Sequence, residues 1–199
     1  MKKLSLILFL FLLIFKASFA NTYSSDPKMF VEELVNDAIE KLSDKNTTKE
    51  EKENLIKNIA LENVDINALG LYTLGELRKS IDKSSLNKYQ ETFEKYFLKT
   101  LTSRLTDYSS NKFEILSSEK KSTNYTMVQS KILESENKPA IKINWRIYTK
   151  NPDRPLIRDL IVEGLSLART QKEEFSSILN SNNNDMNILI AKLEEFINK

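Results

Sequence analysis

The chain has 199 residues and contains no cysteine and no histidine. Without cysteine there is no disulfide framework, no thiolate metal site and no thiol nucleophile. Without histidine the commonest general base and the commonest transition-metal ligand are missing. Glycine is scarce, at Gly70, Gly75 and Gly164 alone, so neither a P-loop nor a dinucleotide fingerprint is written anywhere in the chain. No long block of like charge appears either. These absences weigh against chemistry and against nucleic acid, and no cofactor is expected.

What is present begins with an export signal. Met1-Lys2-Lys3 is a basic start, and Leu4 to Phe15 is an apolar, Ser-containing run of about a dozen residues. That is shorter than the roughly 20 apolar residues that span a bilayer. Ala17-Ser18-Phe19-Ala20 then supplies the small residues that a signal peptidase reads, so residues 1–20 read as a signal peptide cleaved after Ala20. No cysteine follows to carry a lipid anchor. Cleavage removes Lys2, Lys3 and Lys16, which takes the 30 basic residues to 27 against 28 acidic ones. The mature protein is therefore nearly neutral. Residues 21–199 suit one domain with a core of its own.

Asp26-Pro27 reads as an N-cap followed by proline at the first helical position. Phe30, Val31, Leu34, Val35, Ala38, Ile39 and Leu42 follow at helical spacing. A second helix carries Leu55, Ile56, Ile59 and Ala60, and a short third, opened by Asn63-Val64-Asp65, carries Ile66, Leu69, Leu71 and Leu74. Between Ser84 and Tyr108, Leu86, Tyr89, Phe93, Phe97, Leu101, Leu105 and Tyr108 recur every three or four residues, which predicts a long amphipathic helix. After Asn111 the period drops to two. Phe113 to Ser117, Tyr125 to Leu133, Ala140 to Tyr148 and Leu156 to Leu165 read as four strands, and the short turns between them favour an antiparallel meander. Two helices close the chain, one with Phe175, Ile178 and Leu179, the other with Ile188, Leu189, Leu193, Phe196 and Ile197. Helices, then strands, then helices predict a single α+β domain with a twisted four-stranded antiparallel sheet.

Two features invite a catalytic reading. Gly164-Leu165-Ser166-Leu167-Ala168 is a partial nucleophile elbow, but it lacks the second glycine and any histidine to take the serine proton. Asp159 and Glu163, four apart on a strand, share a face, as an acid and base pair would. Neighbouring Arg158, Arg169 and Lys172 favour charge pairing instead.

Several stretches together resemble the MlaC family of periplasmic phospholipid-binding proteins, also called the toluene-tolerance auxiliary family. They are Pro27-Lys28-Met29-Phe30-Val31, Val64-Asp65-Ile66 ahead of Leu74-Gly75, the Phe93 to Tyr108 helix, and Asp159-Leu160-Ile161-Val162-Glu163-Gly164-Leu165-Ser166-Leu167. Phe175, Leu189-Ile190 and Leu193 extend the match. The chain departs from the family pattern in Lys172 for arginine, Leu101 for tyrosine, Leu77 for an aromatic, and Asn182-Asn183-Asn184 where a glycine precedes the last helix.

The resemblance implies a soluble, non-catalytic carrier that shuttles phospholipids between an outer-membrane lipoprotein complex and an inner-membrane ABC transporter with an MCE-domain ring. It implies helices and sheet packed around an apolar lipid pocket, with Leu74, Phe93, Phe97, Leu101, Val128, Ile143, Trp145, Ile147, Leu160, Val162 and Phe175 as its walls. Ordinary core packing is the competing role for each. A periplasmic protein-binding module or chaperone using the same apolar surfaces is the competing function.

Overall fold

The computed structural model describes residues 23–106, 112–134 and 139–199. The signal peptide and Tyr108 lie outside them. Among the described residues there are six α-helices: α1 (Pro27–Ser43), α2 (Lys49–Asn63), α3 (Ile66–Thr73), α4 (Lys83–Leu105), α5 (Leu167–Asn180) and α6 (Met186–Ile197). A 3₁₀ turn, Gly75–Lys79, links α3 to α4. The strands are β1 (Phe113–Ser122), β2 (Tyr125–Ile132), β3 (Ile141–Tyr148), β4 (Leu156–Val162) and β5 (Leu165–Ser166), in sheet order β1-β2-β3-β4-β5. No described helix is long and apolar enough to cross a membrane.

Each helix starts where a short polar side chain satisfies free backbone N–H groups. Asp26 accepts from Lys28 and Met29 ahead of α1. Thr48 and Glu51 form a reciprocal capping box on α2. Asp65, Asp82, Ser166 and Asp185 cap α3, α4, α5 and α6. After α5, Asn183 and Asn184 take positive φ (52° and 59°), a conformation that asparagine tolerates better than most residues.

Two details of the sheet differ from the sequence reading. The sheet has five strands rather than four. Val162 is followed by Glu163 and Gly164, both at positive φ (48° and 83°), the geometry of a two-residue hairpin turn. The chain therefore reverses within the predicted fourth strand, and Leu165–Ser166 pairs back on Val162 and Ile161. The first strand is also longer, running to Ser122, because Ser117 to Ser122 pairs with β2 while staying in solvent and so shows no apolar alternation.

The core forms two apolar clusters. One lies among the helices, with Ile66, Leu74, Tyr89, Phe93, Phe175, Leu179, Met186, Leu189, Ile190 and Leu193 buried. The other lies between α1 and the sheet and buries Phe30, Val31, Leu34, Val128, Trp145, Ile147 and Ile157. Val64, between α2 and α3, packs against both. It also forms a parallel bridge to Ile157, and the next amide, of Asp65, donates to the Ile157 carbonyl at 2.9 Å.

Candidate functional site

The strand register places the inner face of the sheet in rows. Thr126, Ile147 and Ile157 are buried together, and Val128, Trp145 and Leu160 form the next row. Beyond them come Ser130, Ile143, Val162 and Leu165, then Ile132 and Ile141. Cover thins along this series: Ile147 is fully buried, Ile143, Val162, Ile132 and Ile141 are half-buried, and Leu165 is 60% exposed. Ser130 accepts from the Trp145 indole N–H at 2.9 Å and donates to the Ile143 carbonyl at 3.1 Å, so its hydroxyl is satisfied within the wall.

The bulge in β4 keeps that face apolar. Ile147 pairs with Ile157 and Arg146 with Asp159, which leaves Arg158 as the extra residue. Ile157 and Leu160, three apart, thereby face the same side.

The far half of α4 carries further half-covered apolar side chains. Phe93 is buried against Tyr89, Tyr96 and Phe175, whereas Phe97, Leu101 and Leu105 are only half-buried. The main packing partners of α4 are α2, α3 and α6, and those of the strands are α1, α3 and α5. A seam lined by half-buried apolar side chains thus separates the helical cluster from the sheet cluster. α5 runs antiparallel to α4: Phe175 meets Phe93, and Gln171 accepts from the Tyr96 hydroxyl at 3.1 Å. Leu167, one turn earlier and 43% exposed, lies toward the Thr100 end of α4.

The proposed wall residues divide accordingly. Leu74, Phe93 and Phe175 are buried in the helical cluster, and Val128, Trp145 and Ile147 in the sheet cluster. Phe97 packs on the first cluster, and Ile143 and Leu160 on the second, each half-buried. Leu101 and Val162 belong to neither core and are half-buried too. Ile132, Ile141 and Leu165 extend the same face of the sheet, and their signal in the sequence was the apolar alternation carried through the ends of the strands.

Three surface grooves, of about 580, 460 and 150 Å³, do not gather these residues. The largest is polar, along Arg169, Lys172, Ser176 and Asn180 of α5. The second, between α3 and α4, reaches Phe93 beside Gly70. The smallest lies over Arg146, Arg158, Tyr72 and Tyr125.

The charged and hydroxyl groups near the seam hold structure together. Asp159 is buried, accepts from the Ser166 hydroxyl at 2.7 Å and from the Ala168 N–H at 3.0 Å, and has Arg146 at 3.6 Å. Glu163 has left the strand, and its carboxylate accepts from the Lys142 backbone N–H. The two acids therefore do not converge, and the Ser166 oxygen serves as the α5 cap, accepting from Arg169 N–H at 3.0 Å. Arg158 donates through Nε and Nη2 to Asp65 Oδ2 at 2.8 and 2.6 Å and through Nη1 to Tyr125 at 2.9 Å, and stacks 3.4 Å over the Tyr148 ring. Burial opposes its charge, but these partners win and push its pKa above the ordinary arginine value. Among the described residues no acidic cluster is arranged to hold a metal.

A family model described as MlaC protein matches residues 32–195. The chain belongs to the MlaC family. No curated protein sequence matches it. Seven solved chains do, among them the phospholipid-binding protein from Ralstonia solanacearum in complex with a phospholipid. That relative is 15% identical, covers 84% of this chain and 94% of its own, and superposes with a TM-score of 0.69. At this identity the likeness establishes that the fold is shared.

Proposed function

We propose that this MlaC-family chain is a periplasmic carrier that lodges the acyl tails of a phospholipid along the seam between its two apolar clusters. The observation that carries the reading is the graded inner face, covered at Ile147, half-buried at Val162 and exposed at Leu165, together with the half-buried Phe97 and Leu101 of α4. The solved relative of this fold holds a phospholipid, which supports the same ligand class here.

The energetics suit transfer rather than capture. Two acyl chains carry roughly 30 methylenes, and at about 0.8 kcal/mol each their exposure to water costs about 24 kcal/mol. A lipid therefore needs cover to cross an aqueous gap, and the cover must only match a bilayer for the load to be released. Half-buried Leu101, Ile143 and Val162 fit that requirement better than the fully packed Phe93 or Ile147. Direction must come from partners, because nothing in the seam binds a nucleotide. In this reading residues 1–20 direct export and are removed after Ala20, and residues 21–199 move between the outer-membrane lipoprotein complex and the inner-membrane ABC transporter with its MCE ring. Docking through surface charge weakens as salt rises.

Organic extraction of the purified protein followed by mass spectrometry tests the ligand. Stoichiometric phospholipid is expected, and a folded protein with none would favour a protein-binding module. Leu101→Asp or Val162→Asp should cut the bound lipid severalfold while thermal unfolding stays cooperative. Ile147→Asp, by contrast, should cost about 3 kcal/mol or more of stability. Lipid content unchanged in both seam variants would overturn the proposed location.

A further inference from the structure

The outer face of the sheet carries a small pocket apart from the seam. Side chains alternate along β3, so Trp145 and Ile147 face the apolar wall while Arg146 and Tyr148 face the other side. Tyr125, paired with Tyr148, shares that outer face. There a pocket of about 150 Å³ lies between Tyr125, Arg146 and Arg158, on three adjacent strands, and Tyr72 of α3. Ala68 and Ala168, in the first turns of α3 and α5, give it depth because their side chains are short.

The donors that line the pocket outnumber the acceptors the protein brings to them. The Arg146 guanidinium stands 3.6 Å from Asp159, too far for a hydrogen bond, and the Asp159 oxygens already accept from Ser166 and from the Ala168 N–H. Arg158 directs one N–H each from Nε, Nη1 and Nη2 to Asp65 and Tyr125, so its two terminal nitrogens each keep a second N–H. The Tyr125 hydroxyl accepts from Arg158, which leaves its own proton free to donate. The charges are unequal as well. Asp159 and Asp65 balance Arg146 and Arg158. Beyond Tyr72 stands Lys172, its ammonium 5.3 Å from the ring centre, and it pairs with no carboxylate among the described residues, because neighbouring Glu173 is held by Arg169 at 2.9 Å.

We propose that this pocket binds a phosphate group, that of a phosphodiester or of inorganic phosphate, through Arg146, Arg158 and Tyr125, at a site separate from the acyl-tail seam. Donors carried on three strands approach from different directions, which suits the tetrahedral oxygens of phosphate better than the single plane of a carboxylate. The surplus Lys172 matches the single negative charge of a diester. Tyr72, 41% exposed, offers an aromatic face to whatever the phosphate carries.

Titration of the purified protein with inorganic phosphate and with glycerophosphoglycerol, followed by heteronuclear NMR, tests the site. Neither probe has an acyl tail, so their binding reports the pocket and not the seam. Saturable shifts are expected at the Arg146 Nε–H and at the amides of Tyr125 and Ala168. Arg146→Gln should weaken binding about ten-fold, the weight of a charge-assisted hydrogen bond, and Tyr125→Phe, which keeps the ring, about three-fold. Lys192→Gln, which removes an equal charge from α6, should leave the affinity unchanged. Tighter binding of the diester would point to a lipid headgroup as the source, and tighter binding of inorganic phosphate to the free ion. No saturable shift at these groups with either probe, or an equal loss of affinity in Lys192→Gln and Arg146→Gln, would overturn the site. If Arg146→Gln fails to fold, Tyr125→Phe decides alone, and an affinity equal to that of the wild type would count against the site.

Discussion

Ser166 shows how a residue that suggests chemistry in the sequence has a structural task in the fold. Its hydroxyl donates to buried Asp159 and its oxygen accepts from the Arg169 N–H, so it satisfies an acid and starts a helix at once. Ser166→Ala is therefore expected to lower stability by about 1–2 kcal/mol, the cost of a lost cap beside a less satisfied buried carboxylate. The midpoint of urea unfolding measures it, and an unchanged midpoint would show that water replaces the hydroxyl. The Asp-x-x-x-Glu-Gly-x-Ser-Leu motif as a whole reads the same way. Asp159 receives the helix, Glu163 and Gly164 supply the positive φ angles of the turn, and Leu165 and Leu167 are left facing solvent.

Among the elements, α3 approaches α4 closely at Gly70. A Cβ built on Gly70 would lie 2.9 Å from Cδ1 of Phe93, a ring held in the buried aromatic cluster with Tyr89 and Phe175. Alanine is the better helix former by about 1 kcal/mol, but overpacking costs more, so Gly70→Ala should destabilise by about 1–2 kcal/mol net. Thermal unfolding of the variant checks the sign. Elements with a repeating apolar face were legible from the sequence, α4 most clearly, because burial on one side imposes its period. The fifth strand was not, since its two residues carry no period and the Glu163-Gly164 turn interrupts a run that still alternates. The seam was half legible. Phe97, Leu101, Ile143 and Val162 stand out as apolar positions, but periodicity does not separate a half-covered side chain from a buried one such as Ile147. Arg158, the bulged residue, gave no sign of its reach to Asp65, 93 positions away.

For the whole molecule, the lack of histidine shapes the response to pH, since no side chain of ordinary pKa titrates between pH 5 and 8. At the acid end, burial raises the Asp37 pKa, but hydrogen bonds from Lys41 and Tyr23 outweigh it and hold the carboxyl below its usual range. Contacts with Thr48 and Ser85 do the same for Glu51 and Asp82. Such groups add stability above the ordinary carboxylate range and lose it as the pH falls through their lowered values. At the alkaline end, burial raises the phenols of Tyr23 and Tyr89, with Asp37 adding to the rise at Tyr23, so their contribution is full below pH about 10 and fades above it. The melting temperature should therefore be flat from about pH 5 to 9 and fall on both sides; a step near pH 6.5 would contradict it. The sharing of Val64 by both clusters has a further consequence, for thermodynamic coupling. Leu189→Ala and Ile147→Ala, one in each cluster, should be additive in unfolding free energy within about 0.5 kcal/mol, whereas Val64→Ala should interact with both. An acyl chain seated along the seam would behave as an extra core residue shared by the two halves. Loading the protein with phospholipid should then make the Leu189 and Ile147 substitutions non-additive, turning two nearly independent cores into one cooperative unit.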